Sequence, residues 1–181
     1  MVPGRKIAFT GGIVPLGSDV YVMNRDGSDL RRLTDSPGFD GGPAWSPDGS
    51  KLAFASKRDG GSGIYLMRPD GTDVSRIIDE VAICCPAWSP DGSRIAFVCY
   101  GATSELCTAN PDGTGLFHLP GSFTPAARPA WSPDSLRIAF VSQEPGTSVF
   151  DIFSIKADGS GRTNLTKGVL GPGSCCPSWL P

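Results

Sequence analysis

Pro43-Ala44-Trp45-Ser46-Pro47-Asp48-Gly49-Ser50-Lys51-Leu52-Ala53-Phe54 is the stretch on which the reading of the fold turns. It returns as Pro86 to Phe97 and, with Ser135 in place of the Gly, as Pro129 to Phe140. Ile7-Ala8-Phe9 repeats its second half near the N-terminus, and Pro177-Ser178-Trp179-Leu180-Pro181 repeats its first half at the C-terminus. Tryptophans therefore fall at 45, 88, 131 and 179, and Asp-Gly pairs at 26–27, 70–71, 112–113 and 158–159. Self-similarity at a fixed spacing of about 43 residues marks a repeat architecture.

Turn chemistry divides each unit into strands. Ser46-Pro47-Asp48-Gly49 has Pro at the second turn position and Gly at the fourth, as a type I turn with a following bulge requires. It joins a first strand ending at Trp45 to a second, Lys51 to Ser56, in which bulky Leu52 and Phe54 alternate with Ala53 and Ala55. A third strand spans Ile64 to Arg68, and the Asp70-Gly71 turn leads to a fourth near Val74 to Ile78. Helical periodicity is absent. Four antiparallel strands per unit describe one propeller blade, and the chain carries four units. Its C-terminal segment is an inner strand and its N-terminal segment the rest of a blade. The expected fold is all-β: a four-bladed β-propeller over residues 1–181, one domain, closed by pairing N- and C-terminal strands. An unclosed ring would leave bare sheet edges; the rival is a ring shared by two copies.

Composition narrows the function classes. The 181 residues carry 16 Lys and Arg against 18 Asp and Glu, a net charge of −2. Nucleic acid and anionic membrane both select a strongly basic surface, so neither is an expected partner. No apolar run approaches the roughly 18 residues of a membrane span, and Met1 to Lys6 lacks the layout of a secretory leader. A monomer is expected.

The unit Pro-x-Trp-Ser-Pro-Asp-Gly-x-(Lys/Arg)-(Ile/Leu)-Ala-Phe, followed by (Ile/Val)-Tyr-x-Met and Asp-Gly, resembles the WD40-like (PD40) repeat of TolB-type β-propellers. The resemblance covers nearly the whole chain. It implies a protein-interaction scaffold, often of the bacterial envelope; related propellers also form substrate gates on peptidases. Fold analogy alone assigns no function.

Enzyme chemistry has little to work with. The single histidine, His118, aligns with Arg32, Arg76 and Asn164 in the outermost strands, which makes it a solvated edge residue. No Gly-x-Ser-x-Gly elbow is present, so a hydrolase is not expected. Asn24-Arg25-Asp26-Gly27-Ser28-Asp29 has the look of a calcium loop but lacks the acidic residue at position twelve. Its Asp-Gly recurs in every unit, as hairpin geometry demands.

The cysteines stand apart. Cys84-Cys85-Pro86 and Cys175-Cys176-Pro177 occupy positions that read Gly41-Gly42-Pro43 and Ala127-Arg128-Pro129 in the other units. Packing therefore does not demand a thiol there. Both pairs lie on the link from an outer strand to the next inner strand, near the channel mouth, opposite the Asp-Gly turns. In a four-bladed ring they open blades that face each other. A bond between neighbouring cysteines spans Cα atoms about 3.8 Å apart, less than the usual disulfide, and would be a redox switch more than a staple. The pair cannot lie in a regular strand, and the following Pro points to Cys84 and Cys175 as the residues that turn.

Two neighbouring thiolates suit a soft ion with linear geometry, Hg(II) first and Cu(I) next, while a shared four-sulfur site would suit Zn(II) or Cd(II). Cys99 and Cys107 share a sheet face diagonally, within reach of a bridge, but buried free cysteine is the expected state.

The leading expectation is a non-enzymatic binding propeller, with no required cofactor, whose Cys84, Cys85, Cys175 and Cys176 capture a heavy-metal ion. The alternative is a TolB-like interaction scaffold with a protein partner on the channel face and redox-active or incidental cysteines. Free thiols and the missing leader point to the cytoplasm; the resemblance points to the envelope.

Overall fold

The computed structural model describes residues 6–12, 17–79, 82–100, 104–120, 127–167 and 177–180. Apart from one 3-10 turn at Arg58–Gly60, regular structure among them is all β. The strands form four antiparallel sheets that follow one another along the chain. The first is β1 (Lys6–Gly12), β2 (Ser18–Asn24) and β3 (Arg31–Arg32). Next come β4 (Asp40–Trp45), β5 (Leu52–Ser56), β6 (Gly63–Met67) and β7 (Ser75–Ile78). The third sheet holds β8 (Ala82–Trp88), β9 (Ile95–Tyr100), β10 (Ser104–Ala109) and β11 (Phe117–His118). The fourth holds β12 (Ala127–Trp131), β13 (Arg137–Gln143), β14 (Phe150–Lys156) and β15 (Thr163–Asn164).

Each sheet is a meander in chain order, so the four-strand unit read from turn chemistry is the unit that forms. The first sheet departs from this. It has three strands, and no inner strand lies beside β1 among the described residues. Residues 177–180, expected to fill that place, are irregular.

Alternation of large and small residues explains how the sheets stack. Val20 of the first sheet packs with Leu52, Phe54, Tyr65 and Met67 of the second. On the other face of β5, Ala53 and Ala55 leave room for Ile95 and Phe97 of the third sheet. Ala96 and Leu106 meet Phe140 and Phe153 of the fourth in the same way. Every residue of β5 is buried, because both faces of the sheet are covered. Bulky faces thus press onto the small-residue faces of their predecessors, and the core runs between sheets.

The tryptophans fasten these layers. Trp88 Nε1 donates to the Ala44 carbonyl at 3.2 Å, Trp131 Nε1 to that of Ala87 at 3.0 Å, and Trp179 Nε1 to that of Ala130 at 3.0 Å. In each case the acceptor is the residue before the preceding unit's Trp. Trp45 Nε1 is buried and has no partner among the described residues.

Candidate functional site

The inner strands carry a bulge at the position where the cysteine pair stands. Register shifts between Gly41 and Ala44 in β4, between Cys84 and Ala87 in β8, and between Ala127 and Ala130 in β12. At the centre of each shift the residue before Pro has positive φ: Gly42 at 62°, Cys85 at 65° and Arg128 at 52°. The turning residue is therefore Cys85, and the expectation that Cys84 would turn is corrected. Pro disfavours right-handed helical backbone at the residue before it, and at Cys85 the chain turns through the left-handed side instead. Glycine at the matching position 42 was the signal for this, since left-handed backbone costs a non-glycine residue roughly 1–2 kcal/mol.

Cys84 and Cys85 are half-buried, and their sulfurs are bonded to each other across a Cα separation of 3.7 Å. The two thiols expected as a chelate are thus a vicinal disulfide in this structure. Pairing of Cys84 with Val98 and of Ala82 with Cys99 sets the bond at the β9–β10 end of the sheet, as strand direction required. A Cβ on Gly42 would stand 3.3 Å from the Cys85 backbone nitrogen, so neighbouring bulges touch. Cys175 and Cys176 lie outside the described residues.

Cys99 and Cys107, expected as free buried thiols, are also joined. Both are fully buried, on the face that packs against the second sheet. His118 is not merely a solvated edge residue either: its Nδ1 lies 3.4 Å from Cys107 Sγ, 3.8 Å from Cys99 Sγ and 3.3 Å from a Glu105 carboxylate oxygen. Cys107 pairs with His118 as Tyr21 does with Arg32 and Tyr65 with Arg76, so the register repeats from sheet to sheet.

The opposite end of the sheets carries the other candidate surface. In the Ser-Pro-Asp-Gly turn, Ser46 Oγ donates to Asp48 Oδ1 at 2.6 Å and accepts from the Lys51 amide at 2.9 Å. Ser89 and Asp91 repeat this arrangement, as do Ser132 and Asp134. Hydrogen bonds from Ser46 and Ser50 hold the Asp48 carboxyl at about 2 from its ordinary 3.8, and matching bonds lower Asp91 and Asp134. Ser135, which replaces the usual Gly, sits at φ 61° and accepts the Asp91 amide at 3.1 Å. Its hydroxyl links two turns that glycine would leave separate.

A cleft of about 310 Å³ opens between the second and third sheets at this end, lined by Pro47, Asp48, Lys51, Trp88, Asp91 and Pro111. Its lining combines an indole and two prolines with the Lys51 side chain and with two carboxylates held by serine hydroxyls of their own turns. In the Asp-Gly turns, by contrast, the carboxylates are consumed locally: Asp26 Oδ1 accepts both the amide and the hydroxyl of Ser28. Asp70 and Asp112 do the same with Thr72 and Thr114. That is hairpin geometry.

A repeating four-strand meander, stacked face to face through its inner strands, defines a propeller-type protein. The TolB beta propeller domain (PD40) matches residues 4–102, and the chain belongs to that family. It is 48% identical over 42 residues to the Protein TolB homolog of Chlorobium luteolum, a match covering 23% of this chain and 10% of that one. It is 44% identical over 45 residues to the Tol-Pal system protein TolB of Bordetella pertussis, covering 24% of this chain and 10% of that one. Among solved structures, a putative TolB from Agrobacterium tumefaciens superposes with a TM-score of 0.78 at 22% identity, over 89% of this chain and 61% of that one. The chain thus matches about a tenth of the curated relatives' length.

Proposed function

We propose that this chain is a non-enzymatic propeller module that holds a partner protein at the end of the sheets built from Ser-Pro-Asp-Gly turns. The observation that carries the reading is the cleft between Pro47, Lys51, Trp88 and Asp91, which combines apolar surface with a basic side chain and a carboxylate held by its own turn. The sole histidine lies beside a disulfide, so Cys99 and Cys107 offer it no thiol to activate while that bond is formed. The name of the Bordetella relative places that protein in a Tol-Pal system, and a Pal-type protein is accordingly the partner to try first.

Titration calorimetry of the purified chain against purified Pal tests this. Binding is expected to weaken at least tenfold in Lys51→Glu, which reverses a cleft charge and keeps the turn's backbone bonds. It is expected to survive Cys84→Ser with Cys85→Ser. No binding, or binding indifferent to Lys51, contradicts the reading.

A four-bladed ring closed within one chain is part of the proposal. If residues 177–180 took the inner-strand place beside β1, the Ser178 carbonyl would reach Trp45 Nε1, as the Ala44, Ala87 and Ala130 carbonyls reach the next Trp. Light scattering is then expected to give a monomer; a dimer would favour a ring shared by two copies.

The half-exposure of Cys84 and Cys85 favours one further reading, limited to reduced protein. With the bond opened, this pair, and Cys175 with Cys176, would present two thiolates each to Hg(II). Retention of Hg(II) against a monothiol, seen by intact mass, supports that reading; loss of the ion removes it.

A further inference from the structure

We propose that the third sheet contains a redox-gated metal site: Cys99, Cys107 and His118 bind one Zn²⁺ ion when their disulfide is reduced and none when it is formed. The proposal is independent of the interaction surface. It rests on three adjacent strands, since β9 supplies Cys99, β10 Cys107 and β11 His118. Their two sulfurs and a ring nitrogen all lie within 4.8 Å of one another.

The spacing fits the ion. With Zn–S near 2.3 Å and Zn–N near 2.0–2.1 Å, tetrahedral ligands stand about 3.6 Å apart for sulfur and nitrogen, and about 3.8 Å for two sulfurs. The His118 Nδ1 distances of 3.4 and 3.8 Å already bracket the first value. Only the sulfurs must separate. The site is reached from the edge of the sheet, where the His118 side chain is 44% exposed, whereas both sulfurs are buried. Glu105, whose carboxylate lies 3.3 Å from Nδ1, or a water would take the remaining position.

The repeat provides an independent argument. At the positions of Cys99 the second and fourth sheets carry Ser56 and Ser142; at that of Cys107 the other sheets carry Tyr21, Tyr65 and Phe153; at that of His118 they carry Arg32, Arg76 and Asn164. Three neighbouring positions have changed together, in one blade, to residues that bind zinc. Packing explains none of them, because Ser, an aromatic and Arg satisfy the same places elsewhere. A staple between β9 and β10 would need the two cysteines but not the histidine.

Opening the site takes two electrons and two protons from a dithiol, which becomes a disulfide as Cys99 and Cys107 become thiols. Binding Zn²⁺ then releases the two thiol protons and forms two Zn–S bonds and one Zn–N bond. Oxidation to the disulfide removes two of the three ligands and expels the ion.

The test uses the full chain with Cys84, Cys85, Cys175 and Cys176 changed to Ser, so that no other thiols remain. Cobalt(II) serves as the spectroscopic probe and zinc as competitor, before and after reduction by a phosphine, which takes its oxygen from water. Reduced protein is expected to bind one cobalt per chain with thiolate-to-metal charge transfer and tetrahedral d–d bands, and zinc to displace it; oxidised protein is expected to show neither band. His118→Arg and Cys107→Phe copy other blades and so should keep the fold, checked by circular dichroism. His118→Arg is expected to weaken zinc at least tenfold, and Cys107→Phe to abolish the charge-transfer band. Absence of cobalt binding after reduction, or unchanged affinity in His118→Arg, overturns the proposal.

Discussion

Trp131 Nε1 donates to the carbonyl oxygen of Ala87 at 3.0 Å, tying the inner strands of two successive sheets together across 44 residues of sequence. The same bond recurs at Trp88 and Trp179, so the unit of stability is the joint between blades and not the blade alone. In repeat architectures such neighbour terms add to the intrinsic stability of each repeat.

Trp131→Phe should lower stability, and in a closed ring Trp45→Phe should do the same. The first leaves a part-buried carbonyl without its donor, a loss of roughly 1–3 kcal/mol beyond packing. The second removes an indole nitrogen that has no partner among the described residues and that the Ser178 carbonyl would meet on closure. Urea denaturation checks both; no loss in Trp131→Phe would mean the latch contributes nothing, and no loss in Trp45→Phe would count against closure.

The two disulfides should differ in their effect on stability. Cys99 and Cys107 lie 8 residues apart, whereas Cys84 and Cys85 are adjacent and restrict almost no unfolded-chain freedom. Changing both Cys99 and Cys107 to Ser is expected to lower stability by roughly 2–3 kcal/mol on the chain-entropy account. The same change at Cys84 and Cys85 should fall within about 0.5 kcal/mol of the parent. A thermal melt that ranks them the other way refutes the argument.

Acid should loosen the turns over a defined range. The folded Asp48 carboxyl is held at about 2 against an ordinary 3.8, and Asp26, Asp70, Asp91, Asp112, Asp134 and Asp158 are lowered in the same direction. A depressed carboxylate contributes stability fully above its unfolded value and loses it as pH falls through the folded one. Denaturant midpoints should fall progressively from near pH 4 toward pH 2. In Ser46→Ala that acid dependence should be shallower; a midpoint unchanged over this range contradicts the assignment.

Much of the fold was legible because the repeat supplies its own controls. Turn residues at fixed offsets placed β5, β6 and β7 within a residue or two, whereas the pairing of Cys107 with His118 emerged only from the structure. Two things were hidden. The backbone sign at Cys85 was masked by the rule that Pro pushes its predecessor toward extended structure, although Gly42 at the matching position held the answer. The Cys99–Cys107 bond was hidden because a diagonal pair on one face reads equally as packing. Closure between β1 and residues 177–180, expected because the two ends carry complementary parts of one blade, is not formed among the described residues, where 177–180 are irregular and the first sheet has three strands.

Partner binding at the turn end of the sheets is tested most directly by hydrogen–deuterium exchange with and without saturating Pal-type partner. The account predicts added protection in segments 46–51 and 89–94, with little change around Cys84 and Cys85. Protection confined to the cysteine bulges, or none anywhere in the chain, contradicts it.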